Sequence, residues 1–302
     1  MNGFASEEYL EFSTSKIKNI HRTGIINIRN SVSFPYVIFK KNSKNYLITP
    51  IGFSGPNEFN ENHDFNIFNE ESLSICGGFL QTRNIYENVN KFDQNDNFYF
   101  YIDSRSNYRI DLKLSLESFL NNMNSTSRRN CKRFLDERKK YVVRKVEFNE
   151  KELIQKFSDL YSINSFMLKF NKSYHFNYSC WEHLLKNDSF NLFLLYRDKQ
   201  IISGSIITSL NDGYDLTFTV NDRSFNNSGK ATILCLFKYF KKRFNNSYID
   251  LGGGVHELDE LTRFKISMGG KKTPFKRLRF LSKKKLSTLE YNNFKNIENR
   301  WP

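Results

Sequence analysis

The sequence predicts a mixed α/β (α+β) chain of two similar domains, each a twisted, mixed and largely antiparallel sheet flanked by helices. Three observations carry this reading. A helix-then-hairpin pattern occurs twice. The chain has 302 residues, enough for two medium domains. It is 39% hydrophobic and 16% aromatic, with 30 Phe and 16 Tyr, which suits strands and a real core rather than disorder.

The elements follow in order. "YVIFKKNSKNYLITPI", residues 36–51, reads as strand, polar turn, strand. A helix from about Ser127 to Lys140 places Cys131, Phe134 and Leu135 on one side and a comb of cations on the other. The boundary is expected between residues 141 and 150, giving an N-terminal domain over 1–147 and a C-terminal domain over 148–302. Asn149 with Glu152 has the spacing of a capping box, after which Leu153, Phe157, Leu160 and Tyr161 share one helical face. "LFLLYRDKQIISGSIITSL", residues 192–210, repeats the hairpin with a charged turn at Arg197–Lys199. Asp212-Gly213 is a second hairpin signal, leading into "YDLTFTV". A loop of small polar residues, the apolar helix "ATILCLFKYFKKRF" and the strand "SYIDL" complete the order. That strand stops at Asp250 on bare glycines, ahead of a short helix with an acidic head.

Charge narrows the partners. The formal net charge is +14, and it is concentrated. Residues 263–285 carry ten lysines and arginines and no acid, and residues 125–145 carry nine against Asp136 and Glu137. Such clusters suit phosphate-bearing partners: a nucleotide, a sugar nucleotide, nucleic acid or an anionic lipid surface. They equally suit a solubilising face. Cys76, Cys131, Cys180 and Cys235 are isolated, and the histidines have no metal-ligand spacing, so no metal is expected. No window reaches the ~20 apolar residues of a membrane span. The acidic start "MNGFASEEYLEF" has no apolar signal core, so a cytoplasmic location is expected, with the inner face of the membrane as a second station.

The candidate site lies in two stretches. Asn227, Ser228, Gly229 and Lys230 sit between a strand and a helix, where first-turn amides and the helix dipole favour an anion; a plain helix cap explains Ser228 and Gly229 equally well. "YIDLGGGVHELDELTRFKISMGG", residues 248–270, combines the strand end with Phe264-Lys265.

In order and content the chain resembles the GNAT acyltransferase superfamily, and more narrowly its FemABX-like group of envelope enzymes. "YLITPIGFSGP", "RIDLKLSLESFLNNMNSTSRRNCKRF", "YIDLGGG" and "LTRFKISMGGKKTPF" carry the likeness. The resemblance implies two GNAT-like domains, with the acceptor on the N-terminal side and the acyl donor on the C-terminal side. It implies an acyltransferase acting on an amino group, or a hydroxyl, of a sugar nucleotide or glycan precursor in envelope polysaccharide synthesis. Acyl-coenzyme A is the expected donor, its phosphates at Asn227–Lys230. Aminoacyl-tRNA with a peptidoglycan precursor is the alternative, and a non-catalytic RNA- or anionic-lipid-binding protein is a third reading. Lys265 is expected to stabilise the oxyanion, or else to pair with Asp250 or Glu257. Asp250 and His256 join the catalytic set, His256 as a base on its near-neutral ordinary pKa and not on the resemblance, whose pattern has no histidine there. Gly252, Gly253, Arg263, Arg128 and Arg129 are expected to meet substrate, and the basic clusters to meet tRNA or a membrane surface.

Overall fold

A computed structural model describes residues 6–15, 20–28, 32–41, 44–49, 75–82, 98–170, 172–210, 212–243, 247–253 and 259–282. Its first elements are α1 (Glu7–Thr14), β1 (Ile20–Ile28), β2 (Val32–Lys41), β3 (Lys44–Ile48), β4 (Ile75–Thr82) and β5 (Phe98–Asp111). Next come α2 (Leu116–Asn121), α3 (Ser125–Asp136), β6 (Tyr141–Val146), α4 (Lys151–Met167) and α5 (Tyr178–Leu184). The rest are β7 (Phe190–Arg197), β8 (Gln200–Ser209), β9 (Tyr214–Asn221), α6 (Ser228–Lys241), β10 (Tyr248–Asp250), α7 (Glu260–Ser267) and β11 (Lys271–Ser282). The chain divides into two units: Phe4–Arg105 with Phe275–Pro302, and Met1–Gly3 with Ser106–Pro274. The division therefore falls inside β5 and β11, whereas one cut at 147/148 was expected.

In the first unit, β1–β2 and β2–β3 pair antiparallel, β3–β4 parallel and β4–β11 antiparallel. The hairpin expected over residues 36–51 is β2–β3; the segment beyond Thr49 lies outside the described residues. Helix α1 starts where the Ser6 side chain accepts from the Tyr9 amide at 3.2 Å. Its Leu10 is buried with Val37 and Ile48.

In the second unit the order is β5-β10-β9-β8-β7-β6. β9 and β10 are parallel, and every other pair described in this unit is antiparallel. Both sheets are thus mixed and largely antiparallel, as expected. The β7–β8 turn runs through Asp198 and Lys199, both at positive φ (47° and 70°), the backbone that a tight hairpin needs. One core packs α6 through Phe237 and Phe240 against Ile110, Ile249 and Leu251. Around α4 and α5, Phe157, Tyr161, Phe176, Trp181 and Phe218 meet ring to ring, mostly edge-on. The capping box expected at Asn149 and Glu152 does not form. The N-cap is Glu150, without a side-chain cap bond. Its carboxylate accepts instead from the Glu147 amide at 2.9 Å and from Arg144.

Gly204 on β8 has no room for a side chain: a Cβ there would lie 2.5 Å from Phe157 Cδ2. Gly204→Ala should therefore lower stability by roughly 1–3 kcal/mol through overpacking, read as a lower urea midpoint at unchanged slope. Wild-type stability would mean that the Phe157 ring yields freely.

Candidate active site

The site begins where β10 ends. Over Ile249 and Asp250, β10 pairs with Tyr214 and Asp215 of β9, while Tyr248, Ile249 and Asp250 face Asp111, Ile110 and Arg109 of β5. Beyond Asp250 the chain stays with β5, since the Leu251 amide donates to Tyr108 O at 2.8 Å and the Tyr108 amide to Gly252 O at 3.2 Å. Its register with β9 ends at Asp250–Asp215, although β9 runs on to Asn221. Two neighbouring strands part there, and bare glycines follow. The backbone there carries no side chain of its own.

Asp250 organises this corner. Its side chain is fully buried, and its Oδ2 accepts from Arg109 Nε at 3.0 Å and Asn107 Nδ2 at 3.1 Å. Its Oδ1 accepts from the Gly252 amide at 2.9 Å. Three donors, one of them a direct cation, are what a dry carboxylate requires. Arg109 is held from its other side by the Tyr248 ring, 4.1 Å away. Asp215, the register partner of Asp250, is also buried and accepts from Thr217 Oγ1 at 3.1 Å.

Lys265 completes the group. Asp259 caps α7 by accepting from the Thr262 amide at 2.6 Å, so Thr262 and Lys265, one turn apart, both face inward. The helix ends in a Schellman motif. The Gly269 amide donates to Ile266 O at 2.9 Å and the Gly270 amide to Lys265 O at 3.1 Å, with Gly269 at φ 81°. A Cβ on Gly270 would meet that Lys265 oxygen at 2.9 Å. The glycine pair after Phe-Lys thus fixes where the lysine stands. Lys265 Nζ donates to Gly253 O at 2.5 Å and lies 3.5 Å from where a Cβ on Gly252, at φ 70°, would sit. Burial pulls its pKa from 10.5 down to about 8, against the opposing pull of Asp250, Asp215 and Asp259. The carboxylate of Asp250 pairs with Arg109 and not with Lys265.

The structure thus brings Asp250, Gly252, Gly253 and Lys265 together, and adds Asn107, Arg109 and Asp215, which the sequence reading missed. Asn107 and Arg109 alternate along β5 with one residue between them, and that alternation of polar residues in a strand was the available signal. His256 lies outside the described residues, as do Gly254 and Glu257. Arg263 is exposed on α7.

At the α6 start, Asn227 takes a left-handed backbone (φ 62°) and accepts from Asn130 Nδ2 at 3.1 Å. Ser228 is buried, with its hydroxyl donating to Asp222 O at 3.3 Å. The amides of Ser228, Lys230 and Ala231 donate to the carbonyls of Phe225 and Asn227. An anion here would meet the Gly229 amide and the Lys230 side chain, a narrower cradle than expected. A Cβ on Gly229 would touch the Phe264 ring at 3.4 Å, so the loop abuts the helix that carries Lys265. Arg128 uses Nη2 on the carbonyls of Asn121 and Met123. Arg129 lines an open groove on α3 with Lys132 and Arg133. No group of residues among those described is arranged to hold a metal ion.

No protein-family model matches the sequence, and no curated protein does. Among solved structures, FemX matches with a TM-score of 0.67 at 10% identity, covering 98% of this chain and 94% of FemX. A conserved protein of unknown function from Bacteroides thetaiotaomicron gives 0.62 at 13%, covering 93% and 91%. L-PGS from Bacillus licheniformis gives 0.58 at 12%, covering 98% of each chain. The chain has a FemX-like fold, the fold that the sequence resemblance implied.

The depressed pKa of Lys265 has a thermodynamic signature. Between pH ~8 and ~10.5 the unfolded chain holds a proton that the folded one sheds, so this residue makes stability rise with pH across that window. Below pH ~8 both states are protonated and the full cost of burying the ammonium remains. Relative to Lys265→Met, the wild type should gain up to ~1.4 kcal/mol per pH unit in that window. Urea midpoints of both proteins at several pH values read the difference; a constant gap would contradict a buried ammonium.

Proposed function

We propose that the protein is an acyltransferase that moves an acyl group from acyl-coenzyme A to an amino group, or a hydroxyl, of a sugar nucleotide or glycan precursor in envelope polysaccharide synthesis. The observation that carries this reading is Lys265: a buried cation beside the bare backbone of Gly252 and Gly253, where β9 and β10 part. When a nucleophile attacks a thioester carbonyl, charge gathers on the carbonyl oxygen, and a desolvated ammonium placed there acts mainly on the transition state. Lys265 uses one of its three donors on Gly253 O, which leaves donors for such an oxygen. Asp250, with both oxygens engaged, acts as the support of this backbone and not as a proton acceptor. The donor's phosphates fall to Gly229 and Lys230, and the cations of α3 suit an anionic acceptor or a longer polyanionic donor.

That last point favours one alternative. The groove lined by Arg129, Lys132 and Arg133 suits a nucleic-acid backbone, and so a FemX-type transfer from aminoacyl-tRNA to a peptidoglycan precursor. A thermal-shift screen of coenzyme A thioesters, UDP-sugars and tRNA separates the readings, because a ligand at ~100 times its Kd stabilises by ~2.7 kcal/mol. Response to thioesters supports the first, and response to tRNA with transfer of its amino acid the second. RNA or anionic-lipid binding without any transfer leaves a non-catalytic binding protein. Gly229→Asp should weaken thioester binding by setting like charge against phosphate.

With a donor in hand, Lys265→Met should lower kcat by roughly 10²–10³ with little change in KM. The active form carries the proton, so activity should fall on the alkaline side around pH 8, and Lys265→Arg should move that limb upward. Wild-type kinetics in Lys265→Met would sink the site assignment while leaving the fold intact.

A further inference from the structure

The last two turns of α4 carry apolar side chains on both faces. Facing the protein are Tyr161, packed in the aromatic core, and the polar Asn164 and Ser165, only 2%, 5% and 2% exposed. Asn164 and Ser165 satisfy their polar groups on their own helix: Asn164 Nδ2 donates to Leu160 O and Ser165 Oγ to Ser162 O, each at 2.9 Å. Facing solvent are Ile163, Phe166 and Met167, with Leu168 at the helix end, at 57%, 81%, 53% and 47% exposure. Their i, i+3, i+4 spacing makes one apolar stripe on the wet side, the reverse of what core burial selects. Scattered exposed apolar side chains need no explanation, but four contiguous ones at one tip do.

The surrounding charge indicates the occupant. Lys169 and Lys172 follow the stripe and are exposed, and no acidic residue lies between Asp159 and Glu182. A protein interface engages ~20–30 residues a side, with a polar rim of both signs. Four apolar side chains, with Lys169 and Lys172 at their C-terminal end and Asp159 one turn before Ile163, make too small a patch for such an interface and fit a shallower target. We propose that this tip docks on a membrane, with Phe166, Met167 and their neighbours in the headgroup boundary of an anionic bilayer and Lys169 and Lys172 on lipid phosphates. Neither signal is strong alone; apolar insertion and electrostatic attraction together give reversible peripheral binding. Docking through this tip does not depend on which acyl donor the protein uses.

Sedimentation with phosphatidylcholine vesicles, with and without phosphatidylglycerol, tests this. Wild type should pellet with the anionic vesicles. Phe166→Ser/Met167→Ser should reduce the partition coefficient roughly tenfold or more, and Lys169→Gln/Lys172→Gln should weaken it while steepening nothing in zwitterionic vesicles. All four side chains are exposed, so unchanged melting curves should accompany the losses. Equal binding by the Phe166/Met167 variant would assign the attraction to the basic faces elsewhere and overturn the proposal. So would no vesicle binding at all, or a wild-type dimer in light scattering that this variant abolishes.

Discussion

A carboxylate with no exposure to water, at the end of a three-residue strand, sets the terms for everything near it. Left alone, Asp250 would cost several kcal/mol to bury. Its stabilisation comes from Arg109 and Asn107 on β5 and from the Gly252 amide two residues on. The first two bonds tie β10 to β5. The third bends the chain through a left-handed glycine, which turns the Gly253 carbonyl toward Lys265. One carboxylate therefore joins strand pairing, backbone direction and the position of the buried Lys265.

Helix α7 supplies the other half of the geometry by purely local means. An Asp cap at one end and a Schellman motif at the other fix its length at two turns. Within two turns only a few positions face inward, and Lys265 is one of them. The glycine pair that follows is thus a device for placing a cation, as much as a way to end a helix.

Much of the architecture was legible in the sequence because it rests on local signals. The strand-turn-strand grammar of 36–51 and 192–210, the apolar helix at α6 and the acidic head of α7 all depend on neighbours a few residues away. What failed or stayed hidden depends on distant ones. The Asn149–Glu152 pair has the spacing of a cap, yet Glu150 finds a partner in Arg144 on the preceding strand and takes the position itself. Asn107 and Arg109 read as ordinary polar residues of a strand until Asp250, more than a hundred positions later, is set opposite them. The unit boundary was misplaced for the same reason, since residues 106–147 belong with the C-terminal half through the β5–β10 pairing and the packing around α6. On the site, Asp250 and Lys265 were visible through the glycines beside them; their support was not.

The bonds from Asn107 and Arg109 to Asp250 span 143 and 141 residues of chain. Loop closure on that scale carries an entropic cost that only the later burial of α6 and α7 can offset, so this corner belongs to the slow, non-local part of folding. Charges that meet late are hydrated for most of the folding reaction and lose their water near its end. The penalty of desolvating Asp250 and Lys265 then falls mainly on the native side of the barrier. A weakened Arg109–Asp250 pair would leave the rate of folding nearly untouched and shorten the lifetime of the folded protein instead.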